Sequence, residues 1–359
     1  MNIFSKYNLL FLFPFLIFSQ QDSLLFSNIV TIETNNVESQ GKTGTCWSYA
    51  TASFLESELI RAGKGNYDLS EMFVARNVYL EKADNFVRRH GKTNFGEGSL
   101  SHDLINTISK YGLVPNEVFD GLVTDSDKHD HSELASLLEA YLKTIIGKKK
   151  LSTLWKDGYN SLLDIYLGKV PEVFKFEGNN YTPLEFAKYL EIYPDDYINL
   201  TSFTHHPFYV DFVLEVPDNW SNGMFFNIPI DEMVDVVKNA IKKGFSIAWD
   251  TDVSNDEFDS KKGVANVESE VTQDLRQLHF DNYTVTDDHL MHITGLAEGS
   301  DGLIYFLVKN SWGENRGMEN YKGYIWVSEN YFKLNTISIM LHKDALSKKI
   351  LRLKQYQFR

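Results

Sequence analysis

The chain has 359 residues, 43% hydrophobic and 14% aromatic, enough apolar material for one large buried core or two modest ones. Its formal charge is −14, from 35 basic and 49 acidic residues, which excludes a dedicated nucleic-acid binder because such a protein needs a clustered basic face. The short run Lys148-Lys149-Lys150 reads as solvated surface.

At the N-terminus, Lys6 precedes the apolar run Tyr7 to Phe18, which Pro14 interrupts and Gln20-Gln21-Asp22 ends. A run of about 12 residues is too short for a membrane-crossing helix, which needs roughly 20. The segment 1–19 therefore reads as a secretory signal peptide, leaving 20–359 exported and without a membrane segment in the mature form.

Cys46 is the one cysteine of the sequence and can form no internal disulfide. Exported proteins commonly carry cysteines in even numbers. On composition alone, a lone thiol is either inert packing or a reactive group. The local sequence QGKTGTCWSYATASFLESELIRAG decides between them. Gly41 to Thr45 is turn-prone, and from Cys46 the pairs Ala50/Phe54 and Leu55/Leu59 recur at i, i+4, with Gly63 as a stop. Cys46 is thus expected where a loop enters a helix, and the helix N-terminus is expected to favour the thiolate. Gln40, folding back over the glycine turn, is expected to join the Cys46 backbone N–H as an oxyanion donor.

Further along, GEGSLSH (Gly96 to His102) reads either as a glycine-rich wall of a substrate cleft or as an ordinary turn before a helix capped by Ser99 or Ser101. The middle of the chain, about 120–190, is helical in pattern: Leu134, Leu137, Leu138, Tyr141 and Ile145 form a stripe, and Thr182-Pro183-Leu184-Glu185 resembles a helix start.

A nucleophilic thiol needs a base and an orienting group. Of the ten histidines, His289 stands out. It begins the apolar strand of DDHLMHITGLAE, a turn follows at Glu298 to Gly302, and LIYFLVKNSWG then runs to Asn310. An antiparallel hairpin would set Asn310 beside His289, its side-chain oxygen accepting the imidazole N–H while Trp312 shields the bond. His289 and His292 as metal ligands would point to opposite faces of a strand, so no metal site and no cofactor are expected. His292 reads as a core residue.

QGKTGTCW, DHLMHITG and KNSWGENRG together resemble the Cys, His and Asn motifs of the papain superfamily. The separation of 243 residues from Cys46 to His289 exceeds the papain-type spacing of about 130 to 150. Segments LSEMFVARNVYLEKADNF, KYGLVPNEVF, YTPLEFAKYL and FFNIPIDEMVDVVKNAIKKGFSIAWDTDV resemble the bleomycin hydrolase and aminopeptidase C family. The resemblance implies an α+β, papain-like two-lobed fold, a helical left lobe facing an antiparallel β right lobe, with the helical insertion near 120–190. It implies a cysteine peptidase acting on peptide substrates through Cys46, His289, Asn310 and Gln40, and a homo-oligomer, a hexamer in the family. In that family a C-terminal arm restricts cleavage to free N-termini. Here the sequence follows the family to HKDALSKKILRLKQ and then ends at Tyr356 to Arg359, so the arm is expected to be missing or short and internal bonds to be accepted. Thr45 also stands where close members carry a basic residue. The alternatives to an aminopeptidase are an endopeptidase of the same family, a non-catalytic peptide-binding protein on this scaffold, and a peptidoglycan or amide hydrolase.

Overall fold

A computed structural model describes residues 24–356; the expected signal segment and the last three residues lie outside them. Strand β1 (Phe26–Thr31) leads into helices α1 (Cys46–Arg61), α2 (Glu71–Arg88), α3 (Ser101–Tyr111), α4 (Ser132–Ile146) and α5 (Trp155–Leu167). A small hairpin, β2 (Phe174–Phe176) with β3 (Asn179–Tyr181), and helix α6 (Pro183–Leu190) follow. Next come β4 (Tyr197–Thr201), β5 (Asp211–Val213), β6 (Met224–Asn227), α7 (Ile230–Lys242), β7 (Ile247–Thr251), β8 (Phe258–Asp259), β9 (Val264–Ala265) and α8 (Gln273–Asp281). The chain closes with β10 (His289–Gly299), β11 (Ile304–Lys309), β12 (Tyr324–Ser328), α9 (Glu329–Asn335), β13 (Thr336–His342) and α10 (Lys348–Tyr356). The architecture is α+β. No described helix is long and apolar enough to cross a membrane.

Among the described residues one large mixed sheet runs β5-β6-β4-β13-β7-β10-β11-β12-β9-β8, with β1 added along β10. Its two faces feed different cores. Trp249, Met291, Ile293, Phe306 and Ile339 pack with α7 and α9, whereas Ala248, Leu290 and Met340 join the helices α1 to α6. The alternation is the period-two pattern of a strand buried on both faces.

Helix α1 lies between these cores. Its residues Cys46 to Leu59 are all buried, including Glu56 and Glu58, so it is buried on every side rather than along one stripe. Glu58 is matched by Arg61 at 3.0 and 2.6 Å. In α4, Leu134, Leu138 and Leu142 face inward, but Leu137 is 39% exposed and lies off the expected stripe. The start of α6 follows its sequence: Thr182 accepts from the Glu185 N–H, Glu185 reaches back to the Thr182 N–H at 2.8 Å, and Pro183 takes the first helical position.

One interior charge group sits directly behind Asn310. Lys309, 6% exposed, donates to Ser53 Oγ at 2.9 Å and is the cation facing Glu38, Glu56 and Glu71 around a cavity of about 20 Å³. Burial raises the Glu56 carboxyl to about 8 from an ordinary 4.5, despite its hydrogen bond from the Leu69 N–H. Between those two values the folded chain holds a proton that the unfolded chain has released, so stability falls as the pH rises through the window. Glu56→Gln is expected to flatten the decline of the denaturant midpoint between about pH 5 and about pH 8.5; an unchanged slope would contradict this assignment.

Candidate active site

Cys46 opens α1 and is 8% exposed. Thr45 stands at the N-cap without a side-chain capping bond, so the first-turn amides are not masked by it. The loop before it is held by glycines at two close approaches. Gly41 has φ +64°, and a Cβ there would meet the His129 carbonyl oxygen at 2.3 Å. A Cβ on Gly44 would meet Glu97 Cβ at 2.8 Å.

Glu97 fastens the Gly96–His102 segment to the residues on either side of Cys46. Its Oε2 accepts from the Gly44 N–H at 2.9 Å, and its carbonyl accepts from Trp47 Nε1 at 3.0 Å. Burial opposes ionisation of Glu97, but hydrogen bonds from His131 and the Gly44 N–H hold its carboxyl below the ordinary value. The segment therefore flanks Cys46. The expected serine caps are corrected: Leu100 is the N-cap of α3, and Asp103 Oδ2 accepts from Ser99 Oγ at 2.6 Å and from the Leu100 N–H at 3.2 Å. A backward-reaching acid satisfies the helix start, so no serine is needed there.

The hairpin β10–β11 forms with His292 opposite Lys309 and Glu298 opposite Ile304. It brings His289 Nε2 to 2.8 Å from Asn310 Oδ1. The Ser311 backbone N–H also donates to Asn310 Oδ1, at 2.7 Å. A backbone amide can only donate, so that oxygen is an acceptor and His289 Nε2 must carry the hydrogen. In the neutral imidazole, Nδ1 then holds the free lone pair. Trp312 stacks on the His289 ring at 4.7 Å between centroids. Helix α1, which Cys46 opens, packs against β10, the strand that His289 begins.

His292 points away from this group. It is fully buried, lies 3.0 Å by Nδ1 from Ser53 Oγ and packs edge-on against Phe54.

Gln40 is buried, and its backbone N–H donates to the Ser311 carbonyl at 2.9 Å. Its Oε1 accepts from Ser311 Oγ at 2.7 Å, and its Nε2 donates one hydrogen to the Thr43 carbonyl at 2.6 Å, leaving the second amide hydrogen. The bridge Ser39–Trp312 and the bond from the Gly313 N–H to the Glu38 carbonyl extend this contact. A strap of residues 38–40 thus holds the Gln40 and Asn310 loops together, with Ser311 at its centre. Sequence reading passed over Ser311, although it sits inside the NSWG motif.

Electrostatics correct one expectation. Burial pushes the Cys46 thiol up to about 12; the Leu290 N–H opposes this, and Asp287, Asp218 and Asp250 add to it. Burial lowers the His289 imidazole to about 4, against the pull of Asn310 and Asp288. Desolvation thus disfavours the charged form of each group and opposes the helix N-terminus at Cys46.

Among the described residues, His205, His206 and Glu215 place potential metal-ligand atoms within 4.8 Å of one another. Gln277 Nε2 lies 3.1 Å from His205 Nδ1 while Gln277 Oε1 accepts from the Thr204 N–H, so His205 Nε2 carries its hydrogen toward Glu215. The group is closed by its own hydrogen bonds.

Aminopeptidase G of Lactobacillus delbrueckii subsp. lactis is 25% identical over 369 residues, covering 88% of this chain and 83% of the relative. Aminopeptidase C of Listeria monocytogenes is 24% identical, covering 89% and 83%. The crystal structure of PepW from Lactobacillus rhamnosis HN001 superposes with a TM-score of 0.76 at 22% identity, covering 93% of this chain and 85% of that one, and shows the fold. A model of the Peptidase C1-like family matches residues 17–358, nearly the whole length, and the chain belongs to that family.

Proposed function

We propose that this cysteine-type peptidase hydrolyses peptide bonds with Cys46 as nucleophile, His289 as base and acid, Asn310 as the orienting group and Gln40 as an oxyanion donor. The observation that carries the reading is the bond from His289 Nε2 to Asn310 Oδ1 at 2.8 Å, with the oxygen's role fixed by the Ser311 N–H. It leaves Nδ1 with the lone pair that a base needs.

In this reading the thiol and the imidazole start as a neutral pair. As sulfur attacks the scissile carbonyl, its proton passes to His289 Nδ1, so charge separation arises only with substrate in place. The second amide hydrogen of Gln40 and the Cys46 N–H hold the oxyanion. His289 then protonates the departing amine, and with His289 as base, water hydrolyses the thioester, releasing the acid and restoring the thiol. No cofactor enters these steps. The helices about α1 and the β10–β11 side of the sheet act as two lobes with an extended peptide between them. An exported chain and a homo-oligomer, a hexamer as in the resembling family, belong to the same reading.

The relatives are named aminopeptidases, which supports removal of N-terminal residues. An aminoacyl amide substrate with a free amine, assayed beside its N-acetyl dipeptide counterpart, tests this. Hydrolysis favouring the free amine is expected. Equal or better hydrolysis of the blocked substrate would establish the endopeptidase alternative instead, and no turnover of either would favour a binding protein.

A further inference from the structure

A half-open cavity of about 190 Å³ lies beside the loop that leads into Cys46, and the reaction described above does not use it. It has room for roughly six water molecules at about 30 Å³ each, the space of a long side chain. Helix α2 lends it Tyr79, helix α4 lends Leu134 and Leu138, and the start of the segment flanking Cys46 lends Phe95 and Glu97. Two of its walls are fastened to the nucleophile loop. On one, Glu97 Oε2 accepts from the Gly44 N–H at 2.9 Å. On the other, the Lys42 N–H donates to the His129 carbonyl at 2.9 Å and the His131 N–H to the Lys42 carbonyl at 3.1 Å, just before α4. Two residues of chain span at most about 7 Å, so the Glu97 carboxylate lies within roughly 10 Å of the Cys46 amide. An extended substrate advances about 3.3 Å per residue, so the cavity is in reach of side chains within about three positions of the reacting carbonyl.

The lining is apolar with one acid that is only half engaged. Tyr79, Leu134 and Leu138 are each at most 3% exposed. Glu97 Oε2 accepts from the Tyr79 hydroxyl at 3.4 Å as well as from Gly44, and His131 Nδ1 lies 3.4 Å from the same oxygen. All of these contacts fall on Oε2, and no donor among the described residues reaches Oε1. The bonds on Oε2 also favour the ionised carboxyl. No lysine or arginine lines the cavity. Glu139, the second acid of the lining, is already paired with Lys143 at 2.8 Å, and the buried Lys82 donates to the Gly98 carbonyl. A cation on a long apolar stem complements this arrangement, its methylenes against the apolar walls and its hydrogens on a free carboxylate oxygen.

We propose that this cavity is a specificity subsite for the side chain of an arginine or lysine in the peptide substrate, with the charged head on Glu97 Oε1 and the stem along Tyr79, Leu134 and Leu138. The inference rests on the peptidase reading and narrows its substrate class. Glu97 then serves two partners at once: Oε2 holds the loop before Cys46, and Oε1 reads the substrate. Hydrogen bonds between two ionised groups are roughly twice as strong as neutral ones, so the subsite separates a basic side chain from a neutral one of equal length. Selection acts on a side chain and does not depend on whether the α-amine is free.

Tetrapeptide amides carrying arginine, citrulline or alanine at each position in turn test this, because citrulline has the length of arginine without its charge. At one position or more, kcat/KM for the arginine peptide is expected to exceed that for the citrulline peptide by about tenfold or more, and Glu97→Gln to bring the ratio to about 1. Glutamine keeps an acceptor for the Gly44 N–H, and a purely structural role for Glu97 would weaken all three peptides alike and leave the ratio standing. Should Glu97→Gln fail to fold, Ala135→Phe fills the cavity from its α4 wall and is expected to cut the advantage of the arginine peptide over the alanine peptide by about tenfold or more. Calorimetry of the same peptides on the Cys46→Ala chain reads the subsite without catalysis. Equal values for arginine and citrulline at every position overturn the subsite, as does a ratio that survives Glu97→Gln or an arginine advantage that survives Ala135→Phe. A charge preference in binding with no turnover by the unsubstituted chain overturns the peptidase reading and leaves the subsite standing.

Discussion

Replacing Cys46 by alanine is expected to cut peptide hydrolysis by on the order of 10⁴-fold or more while the chain stays folded. In the proposed mechanism the sulfur is the atom that forms the thioester, and the sequence has no second cysteine to replace it. Deleting one atom at the mouth of α1, where Cys46 is 8% exposed, costs about 1 kcal/mol, small beside total domain stability. Cys46→Ser is expected to be as inactive, because the surroundings that push the thiol up to about 12 act still more severely on an alcohol. Fluorogenic peptide amides measure the loss, and circular dichroism with thermal melting checks the fold. Retained hydrolysis in a folded variant would rule out the assignment.

His289→Ala is expected to cost about 10³-fold or more, and Asn310→Ala roughly 10- to 100-fold. The difference follows from what remains. In the proposed mechanism, removing His289 removes the base that takes the thiol proton. Without Asn310 the ring keeps its stack on Trp312 but loses the acceptor that fixes the tautomer. The pH profile carries a sharper expectation. Protonation of His289 removes the base, and burial places that event at about 4 rather than the ordinary 6.5. The acid limb of kcat/KM should therefore fall near pH 4, with the rate holding between there and neutrality, as read over the range where the fold persists. A limb near 6.5 would show a solvated imidazole and contradict the neutral resting pair.

The parts of this site that were legible in the sequence are those written locally. Cys46 at a loop-to-helix junction and the His289–Asn310 hairpin each lie within a short window whose periodicity and turn signals fix the geometry. Burial was less legible. Helix α1 has polar residues such as Glu56 and Glu58 on faces that sequence alone would give to solvent, yet it is enclosed on every side, by the neighbouring α2 and α3 and by the distant strands β7 and β10. That enclosure reverses the expected direction of the Cys46 shift, because a helix N-terminus is a local effect and desolvation a global one. The same distance hid the strap of residues 38–40 on Ser311 to Gly313. Strand order in the sheet, where β7 lies between β10 and β13, is likewise recorded in no window of sequence.

The most direct test of the central claim is reaction with a thiol-directed peptidyl epoxide, followed by intact mass and peptide mapping. The account predicts one adduct per chain, located on Cys46, with peptidase activity falling in proportion to labelling and labelling slowed in His289→Ala. Full activity in a chain quantitatively modified at Cys46 would contradict it.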